Sequence, residues 1–307
     1  MKKYAPYLII FAAILWSLDG LLRRNLYSLP PETIVFIEHL IGFIVLAPFL
    51  VKEFSTWKKM SAKTWYSVIA IAFLGGTLGT IAYTGALGKV NYISLSVVVL
   101  LQQLQPIFAI TLAGIMLKER VTKEFIFWAA LALMAAYFVS FPSLRVNLAT
   151  GSGTLVAALL AVTAAFAWGA STVLGRYALN KLSFLSLSGL RFLFTIVITF
   201  LYLASTGNIA TIGDVSATQW WYVLAIVFST GLVALLIYYK GLAHVPARIS
   251  TVLEMFWPLS AIFVDWIAFG TVLSLTQWLG AAVLLGVIFK ISREARASEM
   301  PVAGTEV

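Results

Sequence analysis

Long apolar stretches follow one another along the whole chain, and they restrict the possible fold more than any other feature. A run of about 20 apolar residues is what an α-helix needs to cross the hydrocarbon core of a bilayer. Only 11% of the residues are charged, against about 25% in soluble domains, so the chain lacks the charge for a water-facing surface. The pattern predicts an all-α membrane protein with ten transmembrane helices rather than a β-barrel. The predicted spans cover residues 6–24, 32–51, 65–88, 92–117, 123–141, 153–175, 184–205, 219–242, 247–269 and 275–292.

Lysines and arginines are unevenly distributed among the segments between these spans. If the amino terminus lies inside, the outer segments carry only Arg23, Arg24, Lys89 and Arg145, and most other basic residues fall on inner segments. Basic residues collect on the cytoplasmic loops of membrane proteins. We therefore expect both termini in the cytoplasm and place the chain in the bacterial inner membrane. The same loops account for the net charge of +9 without a nucleic-acid partner.

The amino-terminal sequence has the charge and apolar run of a signal peptide. No A-x-A cleavage site follows, and the apolar run continues through Trp16 and Asp19. The sequence therefore predicts an uncleaved first helix.

The two halves of the chain repeat the same features. Trp16 and Trp168 are 152 residues apart, and the same offset relates Pro106 to Pro258. A Tyr-x-Gly motif in the third span returns in the eighth at an offset of 156 residues. Because each half has an odd number of helices, the second half is inverted in the membrane, which predicts a binding site between the halves. The expected domains are a first repeat at residues 1–150, a second, inverted repeat at 151–292 and a cytoplasmic tail at 293–307.

This combination resembles a known family over about residues 6–292. Two five-helix halves, a tryptophan in the first helix of each half, and a fourth-helix proline followed by Lys118-Glu119-Arg120 are similar to EamA-type members of the drug/metabolite transporter superfamily. The resemblance implies a basket of ten helices around a central cavity. The third, fourth, eighth and ninth helices would line it, helped by the first and sixth, with the fifth and tenth at the periphery. Members move amino acids, other small metabolites and drugs.

The sequence departs from the family pattern at one position. Glu119 ends the fourth span, but the matching end of the ninth reads Phe269-Gly270-Thr271. The resemblance gives this acid a structural role, so the departure leaves the substrate site untouched.

The ninth predicted span contains a carboxylate, Glu254, four residues before Pro258, with Trp257 beside the proline. A charge inside a bilayer helix costs at least about 2.5–3.5 kcal/mol and usually faces a bundle interior or a water-filled cavity. Proline also removes a backbone donor and frees a carbonyl one turn back. The pattern favours a helix that lines a polar cavity. The alternative is an acid paired with a neighbouring helix for packing alone.

Four acids fall inside the predicted spans beyond the first two residues of each span. Asp19 and Asp265 lie near the outer ends of their spans and are interpreted as solvated or paired end charges. Glu38, next to His39, and Glu254 lie deeper. Buried acids often exchange protons against substrates in transporters, and imidazole titrates near neutral pH. Our hypothesis is that Glu254, with Glu38 and His39 as further candidates, couples proton movement to transport or binds a substrate cation.

The repeat also pairs residues of different chemistry. Gln102 corresponds to Glu254, and Gln105 corresponds to Trp257, at the offset of 152 residues. One half therefore presents an amide where the other presents an acid. That asymmetry favours a zwitterionic or cationic metabolite over an anion. The alternative is that the amides hold helices together.

Arg191 occupies in the second half the position of His39 in the first. A buried arginine needs a partner, and Glu38, Glu254 or a substrate carboxylate would serve. A structural salt bridge is the expected role.

Aromatic side chains are candidate walls of the cavity. Aromatic faces hold cationic groups by cation–π attraction. Aromatic residues make up 14% of the chain, however, and many belong to the interface belts of membrane proteins. The candidate walls are Trp16, Trp168, Tyr83, Tyr238, Tyr239 and Trp257.

No enzyme signature is present: the chain has no G-x-S-x-G, P-loop, H-E-x-x-H or Rossmann glycine motif. It has no cysteine, and its two histidines are too few for a histidine-rich metal site. We expect no cofactor and no metal, and the sequence indicates no obligate protein partner beyond the lipid bilayer and a small-molecule substrate.

The expected function is secondary active transport by alternating access, with export of small amino acids, amines or related metabolites. The alternatives are a multidrug or quaternary-cation exporter and, from another class, a membrane enzyme or a non-transporting membrane protein. The candidate substrate-binding residues are Trp16, Tyr83, Gln102, Gln105, Trp168, Tyr239, Glu254 and Trp257. The candidate proton-coupling residues are Glu254, Glu38 and His39.

Overall fold

The computed structural model is helical throughout the part of the chain that it describes, which is residues 2–88, 98, 101–140, 153–270 and 272–297. Within that part, nine helices are long and apolar enough to cross a membrane, and one apolar helix is shorter. The helices are α1 (Ala5–Leu26), α2 (Pro31–Trp57), α3 (Ala62–Leu87), α4 (Gln105–Met116), α5 (Lys123–Ser140), α6 (Gly153–Leu179), α7 (Phe184–Thr206), α8 (Ala217–Leu242), α9 (Ala247–Leu253 continued by Phe256–Phe269) and α10 (Leu275–Ala297). The predicted all-α membrane fold is confirmed.

Some sequence predictions lie outside the described residues. They concern the first part of the fourth span, the outer basic residues Lys89 and Arg145, the Asp265 side chain, Thr271 and the tail after residue 297.

The two halves pack into each other. The most extensive helix contacts join a helix of one half to a helix of the other: α1 to α8, α3 to α6, α2 to α7, and α5 to α10. The repeat relates α1 to α6 and α3 to α8, so the α1–α8 contact corresponds to the α3–α6 contact. The α2–α7 and α5–α10 contacts each join a helix to its own counterpart in the other half. This is the packing that an inverted repeat predicts.

Prolines interrupt one helix in each half at corresponding positions. α-Helical structure ends at Leu253 and resumes at Phe256, so Glu254 lies at the break. The ring of a proline clashes with the carbonyl four residues earlier, which here is the carbonyl of Glu254. That carbonyl is satisfied instead by the N–H of Trp257 at 2.9 Å. In the first half, a turn likewise precedes α4, whose second residue is Pro106.

Wide π-helical turns occur in α3 at Ala72–Leu78 and in α8 at Val227–Gly231. The two segments overlap when the halves are aligned by the offset of 156 residues. Such turns shift the backbone hydrogen-bond ladder and are frequent at functional sites. In α3, the π-helical segment leaves the carbonyl of Gly75 within reach of side chains from other helices.

Glu119, just after α4, fastens the start of α9. Its carboxylate oxygens accept hydrogen bonds from the backbone N–H groups of Ala247 and Arg248 at 2.8 and 3.0 Å. A negative charge at the N-terminus of a helix satisfies unpaired donors and complements the helix dipole. These contacts agree with the structural role implied for this acid.

Candidate functional site

A cavity lies between the two halves of the helical basket. It encloses about 1250 Å³ of space not filled by protein atoms, counting its mouth. All the residues proposed from the sequence for substrate binding or proton coupling line this cavity, although their roles stay a prediction. They are Trp16, Glu38, His39, Tyr83, Gln102, Gln105, Trp168, Tyr239, Glu254 and Trp257. Within the described part of the chain, α5 and α10 contribute nothing to its lining, as expected for peripheral helices.

Glu254 is held by three hydrogen-bond donors. Its Oε1 accepts from the hydroxyls of Tyr238 at 2.7 Å and Ser250 at 3.0 Å, and its Oε2 accepts from Gln105 Nε2 at 2.7 Å. Gln102 donates in turn to Gln105 Oε1 at 3.1 Å. A polar chain thus runs from the first half of the molecule to the carboxylate of the second. All three donors are uncharged, and no cation of the described chain lies within 4.0 Å of Glu254.

The aromatic residues of the cavity form pairs that cross between the halves. Trp16 contacts Tyr238 with ring centroids 5.1 Å apart, and Tyr83 contacts Trp168 at the same distance. Tyr83 also meets Trp257 edge to face at 6.4 Å. Tilted and edge-to-face contacts are the favoured arrangements of aromatic rings.

Backbone carbonyls fix the orientation of two of the indoles. Trp168 Nε1 donates to the carbonyl of Gly75 at 3.2 Å, and Trp257 Nε1 donates to the carbonyl of Trp16 at 3.1 Å. Each bond links the second half to the first. The Trp168 and Trp257 indoles therefore have fixed orientations in the cavity.

Arg191 does not form the salt bridge expected from the sequence. Its Nη1 donates to the Tyr239 hydroxyl at 2.9 Å, and its Nη2 donates to the Gly75 carbonyl at 2.8 Å. Among the described residues, no carboxylate lies within 4.0 Å of its guanidinium. The reason is the π-helical turn in α3, which offers a backbone carbonyl where the sequence pattern indicated only side-chain partners.

Glycine at position 75 is required for this approach. A Cβ at Gly75 would collide with the Ser171 hydroxyl and lie 3.3 Å from Arg191 Cζ. The same carbonyl also accepts a hydrogen bond from Thr80 Oγ1 at 3.1 Å. Through its bonds with Trp168 and Arg191, the Gly75 carbonyl joins α3 to α6 and α7 at the cavity wall.

Arg23 is a cavity residue that the sequence assigned to an outer segment. Its side chain is only 5% exposed, and its Nε donates to Asp19 Oδ2 at 2.7 Å. Its Nη1 lies 3.0 Å from Glu38 Oε1. Thr230, in the π-helical turn of α8, donates to Asp19 Oδ1 at 2.7 Å. The signal that could have found this cluster is the i, i+4 spacing of Asp19 and Arg23, which is typical of a helical ion pair.

His39 is held by its own helix. Its Nδ1 lies 2.8 Å from the carbonyl of Val35, and its ring packs on Phe192 with centroids 4.8 Å apart. Since a carbonyl can only accept, Nδ1 carries the hydrogen, and Nε2 is the nitrogen left to interact with a ligand.

An inverted repeat of membrane helices that encloses a polar cavity between its halves is the architecture of secondary transporters. The model of the EamA-like transporter family matches the chain twice, at residues 3–141 and 155–293. The matched segments begin 152 residues apart, the offset that relates the two tryptophans and the two prolines. The chain belongs to this family and is a transporter of the drug/metabolite type, not an enzyme.

Two curated proteins and one solved structure are similar to the chain. The riboflavin transporter ImpX of Fusobacterium nucleatum subsp. nucleatum is 35% identical over 288 residues, covering 93% of this chain and 96% of that protein. Protein LicB of Haemophilus influenzae is 26% identical over 186 residues, covering 59% of this chain and 61% of that protein. A solved structure described only as "Crystal structure of protein" aligns with a TM-score of 0.76 at 17% identity, over 98% of this chain and 100% of that chain. This last likeness concerns the fold alone.

Proposed function

We propose that the protein transports riboflavin or a closely related flavin across the membrane by alternating access. The relative named a riboflavin transporter, similar over nearly the whole chain, favours this substrate over amino acids and amines. The observation that carries the proposal is the presence of two aromatic walls in one cavity, Trp16 with Tyr238 and Trp168 with Tyr83, each built from both halves of the chain. A flat tricyclic ring stacks on such walls.

The polar residues of the cavity complement the rest of a flavin. The isoalloxazine ring ends in a pyrimidine-dione that offers carbonyl and nitrogen acceptors and one N–H donor, and the ribityl chain offers hydroxyls. Gln102, Gln105 and Glu254 provide amide and carboxylate partners in series. A few convergent polar groups in a mainly apolar pocket fix the orientation of a ligand.

Riboflavin binding tests the proposal. Flavin fluorescence is quenched when the ring stacks on an indole, so titration of the detergent-purified protein should give a saturable decrease. Trp168→Ala removes one wall and should weaken binding at least about tenfold, the equivalent of 1.4 kcal/mol. Trp221→Ala is the matched control, since Trp221 lies on α8 outside the cavity lining and is 73% exposed. Equal affinities for Trp168→Ala and the wild type would contradict stacking at this site.

A small zwitterionic metabolite, such as an amino acid, is the second candidate. It is favoured by one observation: Glu254 and Arg191 both line the cavity but are not paired with each other. The Glu254 carboxylate can bind an ammonium group, and the Arg191 guanidinium can bind a carboxylate. A thermal-shift screen with amino acids, polyamines, quaternary amines, nucleosides and riboflavin separates the candidates, because a bound ligand stabilises the folded state. Stabilisation by bulky cations alone would favour a multidrug exporter.

We also propose that proton movement is coupled to transport through Glu254. Its three partners are uncharged, so a change in its protonation is not opposed by a fixed cation. Glu38 differs, because it faces Arg23 at 3.0 Å. His39 stays a further candidate through Nε2.

The proposed orientation has both termini in the cytoplasm. It is supported by the basic residues of the α2–α3 segment, among them Lys58 and Lys59, and by the lack of Lys and Arg in residues 207–216 between α7 and α8. The chain has no cysteine, so a single introduced cysteine is a unique label. Lys59→Cys should react with a membrane-impermeant maleimide only in inside-out vesicles, and Asp214→Cys only in intact cells. The reverse pattern would invert the topology.

A further inference from the structure

The cavity contains two arginines in opposite situations. Arg23 faces two carboxylates, Asp19 at 2.7 Å and Glu38 at 3.0 Å. Arg191, in the same lining, has a hydroxyl and a carbonyl as its hydrogen-bond partners among the described residues, from Tyr239 and Gly75. The first guanidinium is neutralised by the protein, and the second is not.

An unneutralised guanidinium inside a membrane helix bundle is unfavourable unless a counter-group reaches it. Among the described residues, partners are found for two of its five N–H donors, one on each terminal nitrogen. Arg191 lines the cavity, and each terminal nitrogen keeps a second N–H. The cavity wall therefore presents donors and a positive charge that a ligand can complete.

The guanidinium is also held in a fixed plane. The Gly75 carbonyl holds one terminal nitrogen, the Tyr239 hydroxyl holds the other, and Cζ lies 5.8 Å from the centre of the Tyr239 ring. A planar, pre-oriented fork of donors matches two adjacent acceptors in a plane. It suits a flat heterocycle better than a flexible amine, which brings only donors.

We infer that Arg191 determines specificity by forking onto a ring nitrogen and the neighbouring carbonyl oxygen of the flavin pyrimidine-dione end. This inference rests on the proposed flavin substrate. Two edges of the isoalloxazine ring offer such a pair, N1 with the C2 carbonyl and N5 with the C4 carbonyl. Arg191 thus donates hydrogen bonds to acceptors at the edge of the flavin ring, and the aromatic walls stack on its faces.

The test measures dissociation constants of the full-length, detergent-purified protein for riboflavin, 1-deazariboflavin and 5-deazariboflavin. Each analogue replaces one ring nitrogen by a CH group. In the wild type, one analogue should bind roughly 10- to 100-fold more weakly than riboflavin, the ratio for a hydrogen bond to a charged group. Arg191→Gln should bind riboflavin more weakly by a similar factor and should no longer distinguish that analogue.

A matched control variant tests whether the effect is specific to Arg191. Arg176→Gln makes the same change at an arginine outside the cavity lining and should bind all three ligands as the wild type does.

The outcomes keep the two proposals apart. If the wild type binds none of the three flavins, the flavin-transport proposal is wrong. If it binds riboflavin and both deaza-analogues equally, or if Arg191→Gln retains wild-type affinity, flavin transport stands and the role of Arg191 is wrong. Should Arg191→Gln not fold, Arg191→Lys takes its place, because it keeps the charge but not the planar fork. It should lose the discrimination, and a lysine variant that keeps it would contradict the role of Arg191.

Discussion

Replacing Arg23 by glutamine should lower the free energy of unfolding by about 3–5 kcal/mol, because it leaves buried carboxylates without their counter-charge. The Arg23 side chain is 5% exposed, and those of its partners Asp19 and Glu38 are 14% and 7% exposed. Water therefore cannot replace the lost guanidinium. The substitution also removes an ion pair between α1 and α2.

A reversible denaturation curve of the detergent-purified protein measures this loss. The double variant Arg23→Gln with Glu38→Gln should recover part of it, since one uncompensated charge is removed with its partner. Arg24→Gln is the matched control: Arg24 is the next residue and is exposed, so its replacement should change stability by less than about 0.5 kcal/mol. An Arg23→Gln protein as stable as the wild type would show that the cluster is not needed for folding.

The helix pattern and the position of the cavity were predictable, because they follow from local sequence. Apolar runs of bilayer length dictate the spans, and the repeated prolines at 106 and 258 dictate where helices break. The placement of Glu254 at such a break follows from its spacing to Pro258 alone. An acid at that point lines the cavity because the broken helix faces the other half.

Contacts that depend on backbone geometry were not predictable. The sequence indicated a carboxylate partner for Arg191, but the π-helical turn in α3 provides the carbonyl of Gly75 instead. No residue pattern in the sequence predicts a π-helical turn. Arg23 was misplaced for a different reason: positive charges near a span end are usually solvated, and only the three-dimensional approach of α2 brings Glu38 to it.

Glu254→Gln should abolish the response of transport to a pH gradient. Glutamine has nearly the same shape as glutamate but cannot gain or lose a proton. Proteoliposomes with an imposed pH gradient measure the effect: the wild type should accumulate substrate faster with the gradient than without it, and the variant should move substrate at one rate in both conditions. Glu124→Gln is the control, because the Glu124 side chain is 65% exposed and lies outside the cavity lining.

The comparison of Glu254 with Glu38 makes this test specific. If proton coupling required only a buried acid, Glu38→Gln would have the same effect. Glu38 is paired with the guanidinium of Arg23 at 3.0 Å, whereas Glu254 accepts hydrogen bonds from the hydroxyls of Tyr238 and Ser250 and the amide of Gln105. These groups stabilise a carboxylate but carry no charge of their own, and the two hydroxyls can also turn to accept a hydrogen bond from its protonated form. We therefore expect Glu38→Gln to retain the response to the gradient. If transport by a Glu254 variant still responds to the gradient, this carboxylate is not the coupling site.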